Sequence, residues 1–114
     1  MPDCLFCKIR DGQIPAKIVH RDDVCLAIED IKPQAPTHLL VVPLAHIETV
    51  NDLTVEDRET VGHLVVTAGR LAKERGHSEN GYRLVMNCNR DAGQTVFHLH
   101  LHALGGRPFG WPPG

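Results

Sequence analysis

The stretch Phe97-His98-Leu99-His100-Leu101-His102-Ala103-Leu104 constrains this chain more than any other. Polar and apolar residues alternate strictly, which predicts a half-buried β-strand. Side chains on a strand point to opposite faces in turn. His98, His100 and His102 therefore line one face, and Leu99, Leu101 and Ala103 line the other. Neighbouring rings would stand roughly 6.6 Å apart, twice the rise per residue. Such a row can hold a metal, relay protons or attack an electrophile. Its apolar partners argue against a solvated histidine-rich tag.

The rest of the chain supplies a sheet for that strand to join. Lys17–His20 and Val24–Ile28 read as a hairpin turned by Arg21-Asp22-Asp23. Asp30 to Pro36 is a loop, broken by prolines. The apolar run from His38 to Val42 predicts a central strand, closed by Pro43. Thr54 and Asp57 resemble a capping box. Behind them Val61, Leu64, Val65, Ala68, Leu71 and Ala72 recur at helical spacing, predicting a helix from about 55 to 75 that Gly76 stops. Tyr82–Asn87 reads as a further strand, and Cys88–Gln94 as a polar loop. Asp3 to Ile9 reads as a short helical turn carrying Cys4 and Cys7. The expected class is α+β: an antiparallel meander of about five strands with one long helix and a short N-terminal helix.

At 114 residues one domain, 1–114, is expected, with residues 105–114 as an irregular tail bearing Trp111. The net charge of −2 gives no electrostatic footprint for nucleic acid. No apolar stretch approaches the length of a membrane span. Met1-Pro2-Asp3-Cys4 lacks the features of a signal peptide. A cytoplasmic setting with reduced cysteines is therefore expected.

Three readings of the histidine row compete. The rings could be partly buried and satisfied by backbone groups, but three on one face put many polar rings into a core. They could bind a metal, although the outer pair is roughly 13 Å apart on a regular strand, too far for three ligands to one ion without distortion. They could act covalently, because a histidine is largely neutral at pH 7 and becomes a nucleophile once its second nitrogen is fixed by a hydrogen bond. The central residue, His100, is the natural nucleophile, flanked by His98 and His102. Gly93, Thr95 and Asn87 are nearby groups able to approach an anion. Taken singly, each is as readily a turn former.

The triad and its surroundings resemble the histidine-triad (HIT) superfamily. The likeness extends through residues 6–9, 14–18, 30–38 and 93–102 to Trp111-Pro112-Pro113-Gly114, and points to the Hint branch, the nucleoside phosphoramidases. The resemblance implies a HIT-like fold and attack by His100 on the α-phosphorus of a purine nucleoside 5′-phosphoramidate. His102, His98, His38 and Thr95 would complete the catalytic set. Asp30 would bind the ribose, Asn87, Gly93 and Thr95 the phosphate or leaving group, and Leu5, Phe6, Ile9 and Ile31 the base. The branch usually has serine where this chain has Thr95, whose hydroxyl remains on a stiffer side chain.

The resemblance also implies a homodimer, built on the long helix and a strand, with the tail reaching toward the partner's active site. It further implies a structural zinc held by Cys4, Cys7, His46 and His98, with no catalytic metal required. Cys4 and Cys7 alone are only half a zinc site, and the competing reading is two small buried apolar residues. His20, His63 and His77 have no motif context and read as surface or helix residues. Two other functions remain open. One is dinucleoside polyphosphate hydrolysis, as in the Fhit branch, which His102 weighs against. The other is a nucleotide- or zinc-binding adaptor without catalysis.

Overall fold

The computed structural model describes residues 3–114. The N-terminal reading above rests partly on Met1 and Pro2, which lie outside the described residues. The elements run α1 (Leu5–Arg10), β1 (Ile18–Arg21), β2 (Cys25–Glu29), β3 (Thr37–Pro43), α2 (Arg58–Glu74), β4 (Tyr82–Val85), α3 (Asn89–Ala92) and β5 (Leu101–Gly105). One antiparallel sheet contains all five strands in the order β1-β2-β3-β5-β4. The α+β class is as expected, but the order corrects the simple meander: β5 inserts between β3 and β4.

The insertion follows from burial. β3 is buried along its whole length and needs a neighbour on each side. β2 fills one side and the alternating β5 fills the other, with Val41 opposite Leu101 and His38 opposite Leu104. One face of the sheet packs on α2, where Leu39, Val41, Leu99, Leu101 and Ala103 meet Leu64, Ala68 and Leu71. The other face packs on α1, where Leu26, Ile28, Leu40 and Val42 meet Phe6 and Ile9. The histidine row lies on this α1 side.

Several boundaries differ from the expectations, each for a local reason. The capping box of Thr54 and Asp57 forms, but it opens a 3-10 turn, and α2 proper starts at Arg58. A second box, Thr49 with Asp52, caps another such turn and was not anticipated. Val65 does not join the core; Thr67 is buried on α2 instead. Gly76 adopts φ +86° just past the helix, a conformation that costs other residues dearly. The polar loop after β4 contains the single turn α3.

The histidine strand also starts later than its alternation implied, at Leu101 rather than Phe97. Extending the pairing of Val41 with Leu101 by two residues puts Leu99 opposite Pro43, which has no N–H to donate. The chain bends over residues 96–98 instead, and the Leu99 N–H turns to the Ile47 carbonyl at 2.6 Å. The facial alternation survives without the ladder.

Candidate active site

Each ring of the row has one nitrogen occupied by a partner that fixes its tautomer. His98 is completely buried, and its Nε2 donates to the Pro43 carbonyl at 2.8 Å. Its Nδ1 is therefore unprotonated. His100 donates from Nδ1 to the carbonyl of His98 at 2.7 Å, which leaves the lone pair on Nε2. At His102 the order reverses. The backbone N–H of Gln34 donates to His38 Nδ1 at 3.0 Å, so His38 carries its proton on Nε2. That proton points at His102 Nδ1, 2.9 Å away, and His102 keeps a donor at Nε2. Burial pushes the His38 imidazole below its ordinary value, against the attraction of Asp30. Burial, with His100 and His38 adding repulsion, holds His102 down to about 4. Both rings are thus neutral near pH 7.

His100 and His102, with ring centroids 5.1 Å apart, stand at the end of a cavity of about 600 Å³. Phe6 packs edge-on against His100 at 5.1 Å. Leu5, Ile9, Asp30, Ile31 and Thr95 share the lining, as does Leu40 from the sheet. Phe6 and Ile9 are fixed parts of the wall, whereas Ile31 is 93% exposed and only a rim. Asp30 is held by the Lys32 N–H at 2.8 Å, and its other oxygen is 3.5 Å from His38 Nε2.

The structure does not bring every expected residue to this cavity. The ring of His98 lines none of the cavities near the row; what His98 offers His100 is its main-chain carbonyl. Asn87 lies across His102, in a second cavity of about 370 Å³. Gly93 ends α3 at φ +86° and lines neither. The tail comes back to this chain's own His38 and His102 through Gly110 and the final prolines, while Trp111 is 85% exposed.

Sequence reasoning missed three groups. Gln94 is buried and bridges the Asn89 N–H to the carbonyls of Glu48 and Val96, fixing the loop before the row. The Gln34 backbone sets the tautomer of His38. Arg83, Arg107 and Phe109 wall the second cavity. Only the proximity of Gln94 to the motif could have signalled any of these.

At the far end of the row, Cys4, Cys7, His46 and His98 converge. Cys4 Sγ is 3.2 Å from His98 Nδ1, Cys7 Sγ is 3.3 Å from His46 Nδ1, and the two Nδ1 atoms are 3.2 Å apart. In a tetrahedral zinc site with two sulfur and two nitrogen ligands, neighbouring donor atoms stand roughly 3.3–3.8 Å apart. The Pro43 carbonyl already holds His98 Nε2, leaving the Nδ1 lone pair aimed into the cluster. The donor set fits a structural zinc. His20 and His63, by contrast, share Asp22 Oδ2 at 2.7 and 2.8 Å and tie the first hairpin to α2.

Known proteins resemble this chain in sequence and fold. A family model described as the HIT domain matches residues 11–109. The chain is 47% identical to a purine nucleoside phosphoramidase of Escherichia coli K12 over 108 residues, 95% of this chain and 91% of that one. The crystal structure of a HIT family hydrolase from Legionella pneumophila superposes with a TM-score of 0.96 at 54% identity, covering 98% of this chain and all of that one. A zinc-bound histidine triad family protein from Mycobacterium smegmatis gives 0.80 at 31% identity, covering 99% of this chain and 81% of that one. With the motif, the sheet order and these matches in agreement, the chain belongs to the HIT domain family.

Proposed function

We propose that this HIT-family hydrolase cleaves the P–N bond of purine nucleoside 5′-phosphoramidates, of the AMP-amine or AMP-lysine type, through a nucleotidyl intermediate on His100. One observation carries the reading: the 2.7 Å bond from His100 Nδ1 to the His98 carbonyl leaves the Nε2 lone pair free beside a cavity of nucleotide size. The name of the E. coli relative supports the choice of bond.

The reaction follows from the tautomers. His100 Nε2 attacks the α-phosphorus, and a new N–P bond forms as the substrate P–N bond breaks. Its electron pair goes to the amine nitrogen, which takes a proton from solvent and leaves as the free amine. His102 donates from Nε2 to the phosphoryl oxygen, and His38 steadies His102 through its own Nε2–H. Water then attacks the phosphorus, gives a proton to solvent and displaces His100, releasing the nucleoside monophosphate. Asp30 accepts from the ribose hydroxyls. Leu5, Phe6 and Ile9 hold the base with Ile31 at the rim, and the Thr95 hydroxyl faces the phosphate. Asn87 meets the leaving group from the other side of His102, and Gly93 lets the loop turn toward it.

Cys4, Cys7, His46 and His98 would hold a structural zinc, which ties α1 to the sheet and supplies no catalytic step. A homodimer would cover the exposed Val65 and Val66 of α2, the edge strand β4 and the indole of Trp111. Among the described residues no helix is long and apolar enough to cross a membrane. Four free cysteines favour a reducing, cytoplasmic setting.

Rapid quench with a labelled adenosine phosphoramidate tests the mechanism: wild type should accumulate a covalent nucleotidyl adduct that His100→Ala lacks. Absence of the adduct in wild type rejects it. Parallel assay of a diadenosine polyphosphate decides against the alternative hydrolase if the phosphoramidate is turned over faster. Light scattering at micromolar concentration should give twice the chain mass.

A further inference from the structure

The sheet face opposite the histidine row carries a second convergence of donor atoms, at the edge formed by β1. His20 on β1 lies opposite Ala27, a core residue of the α2 side. Asp22 sits in the turn that follows, Cys25 opens β2, and His63 projects from α2. Asp22 Oδ1 accepts from the Val24 and Cys25 N–H groups at 2.8 and 2.9 Å, which fixes the carboxylate. Its Oδ2 accepts from both rings, His20 Nε2 at 2.7 Å and His63 Nε2 at 2.8 Å, and the Cys25 thiol lies 3.8 Å from the same oxygen. One ligand atom each from His20, Asp22 and Cys25 falls within 4.8 Å of the others.

None of these groups enters the reaction derived above, because the sheet stands between them and the nucleotide cavity. The strand order also puts β1 at the edge away from β4. His63, Thr67 and Arg70 form one stripe of α2, at i, i+4 and i+7, and that stripe meets the hairpin through Asp22, Cys25 and His20. Two imidazole nitrogens, a carboxylate oxygen and a thiol make a donor set that suits zinc, cobalt and nickel rather than magnesium or calcium. Around a tetrahedral ion, nitrogen–oxygen neighbours stand roughly 3.3 Å apart and oxygen–sulfur neighbours roughly 3.6 Å. The present contacts need to open by only about half an ångström at each ring. Cys25 is fully buried, whereas Asp22, His20 and His63 keep a solvent-facing side through which an ion can enter.

Arg70 is the competitor. Its Nη2 donates to His20 Nδ1 at 3.1 Å, so that ring carries its proton on Nε2, pointing at Asp22. An ion needs the Nε2 lone pair, and the ring proton then belongs on Nδ1. Arg70 must therefore release the ring. It is half-exposed and has Glu74 one turn away, 3.6 Å from its Nε, to turn toward.

We propose that His20, Asp22, Cys25 and His63 form a second metal site, for a divalent ion of the zinc, cobalt and nickel group, which ties the first hairpin to α2 and which Arg70 opposes. The Cys25 thiol gives its proton to solvent as the ion binds. The test is the cobalt(II) content and absorption spectrum of the full chain after equilibrium dialysis. His20→Gln and His63→Gln keep an N–H for Asp22 while removing the imidazole, so the hairpin remains tied. Wild type should hold one more cobalt per chain than either variant. That difference is the same whether or not Cys4, Cys7, His46 and His98 are filled, so it stands apart from the structural zinc. The difference spectrum should carry a sulfur-to-cobalt charge-transfer band that Cys25→Ser lacks. Saturating cobalt should raise the melting temperature of wild type more than that of either glutamine variant. Arg70→Gln should tighten binding by about tenfold, the scale of a change just outside the ligands. Equal cobalt content in wild type and both glutamine variants overturns the site. So does binding without the sulfur band, or an Arg70→Gln variant that binds no tighter; His20, Asp22 and His63 are then a hydrogen-bonded clamp and nothing more.

Discussion

His98 and His102 are four residues apart on one extended segment, yet they occupy opposite kinds of environment. At the closed end, His98 is sealed between the Pro43 carbonyl and the two cysteines, and no cavity near the row reaches its ring. At the open end, His100 and His102 border the larger cavity and keep a ring nitrogen without a protein partner. The closed end is fitted for holding and the open end for reacting. The carbonyl of His98 joins them, because it is the acceptor that orients His100. Rigidity at one end is what preorganises the other.

That division should show as a split between rate and stability. The largest effect belongs to His100→Ala, which should reduce turnover by at least about 10⁴-fold while moving the melting temperature little; retained turnover would end the division. At the closed end, stripping zinc with a chelator, or Cys4→Ser with Cys7→Ser, should lower the melting temperature by about 10 °C or more. Calorimetry with and without zinc measures this, and an unchanged melting point would show that the cluster holds nothing. His38→Ala frees His102 Nδ1 of its donor and should cost about 10²-fold in kcat with little change in KM. A loss in KM alone would move His38 from the reaction to binding. At the rim, Ile31→Ala should raise KM by no more than about threefold, since so exposed a side chain buries little area. Thr95→Ser keeps the hydroxyl and should change kcat by a similar or smaller factor, with the shift differing between leaving groups.

Much of this was legible because it depends on local periodicity. The run at residues 97–104 announced which side chains share a face, and they do, even where no strand ladder forms. The pattern behind Thr54 announced α2, although it misplaced Val65 at the margin of the apolar face. What periodicity could not show was partnership. Strand order was hidden because β5 finds β3 across a long intervening stretch of chain, and burial of both flanks of β3 decides that pairing. Arg83 and Arg107 look like ordinary surface cations until the tail folds Phe109 beneath them.

The sequence by itself determined that three imidazoles would lie on one side of an extended segment with leucines on the other, since side-chain alternation is a property of the backbone alone. Only the tertiary structure decided which nitrogen of each ring carries the proton. For His98 and His102 the deciding partners are brought from elsewhere, the Pro43 carbonyl and the His38 ring, 64 positions from His102, while His100 is set by the His98 carbonyl two residues back. An imidazole is indifferent between its two tautomers until a neighbour breaks the tie. In this protein those neighbours separate a ring whose lone pair is turned into the cysteine cluster from a ring whose lone pair is left beside a cavity.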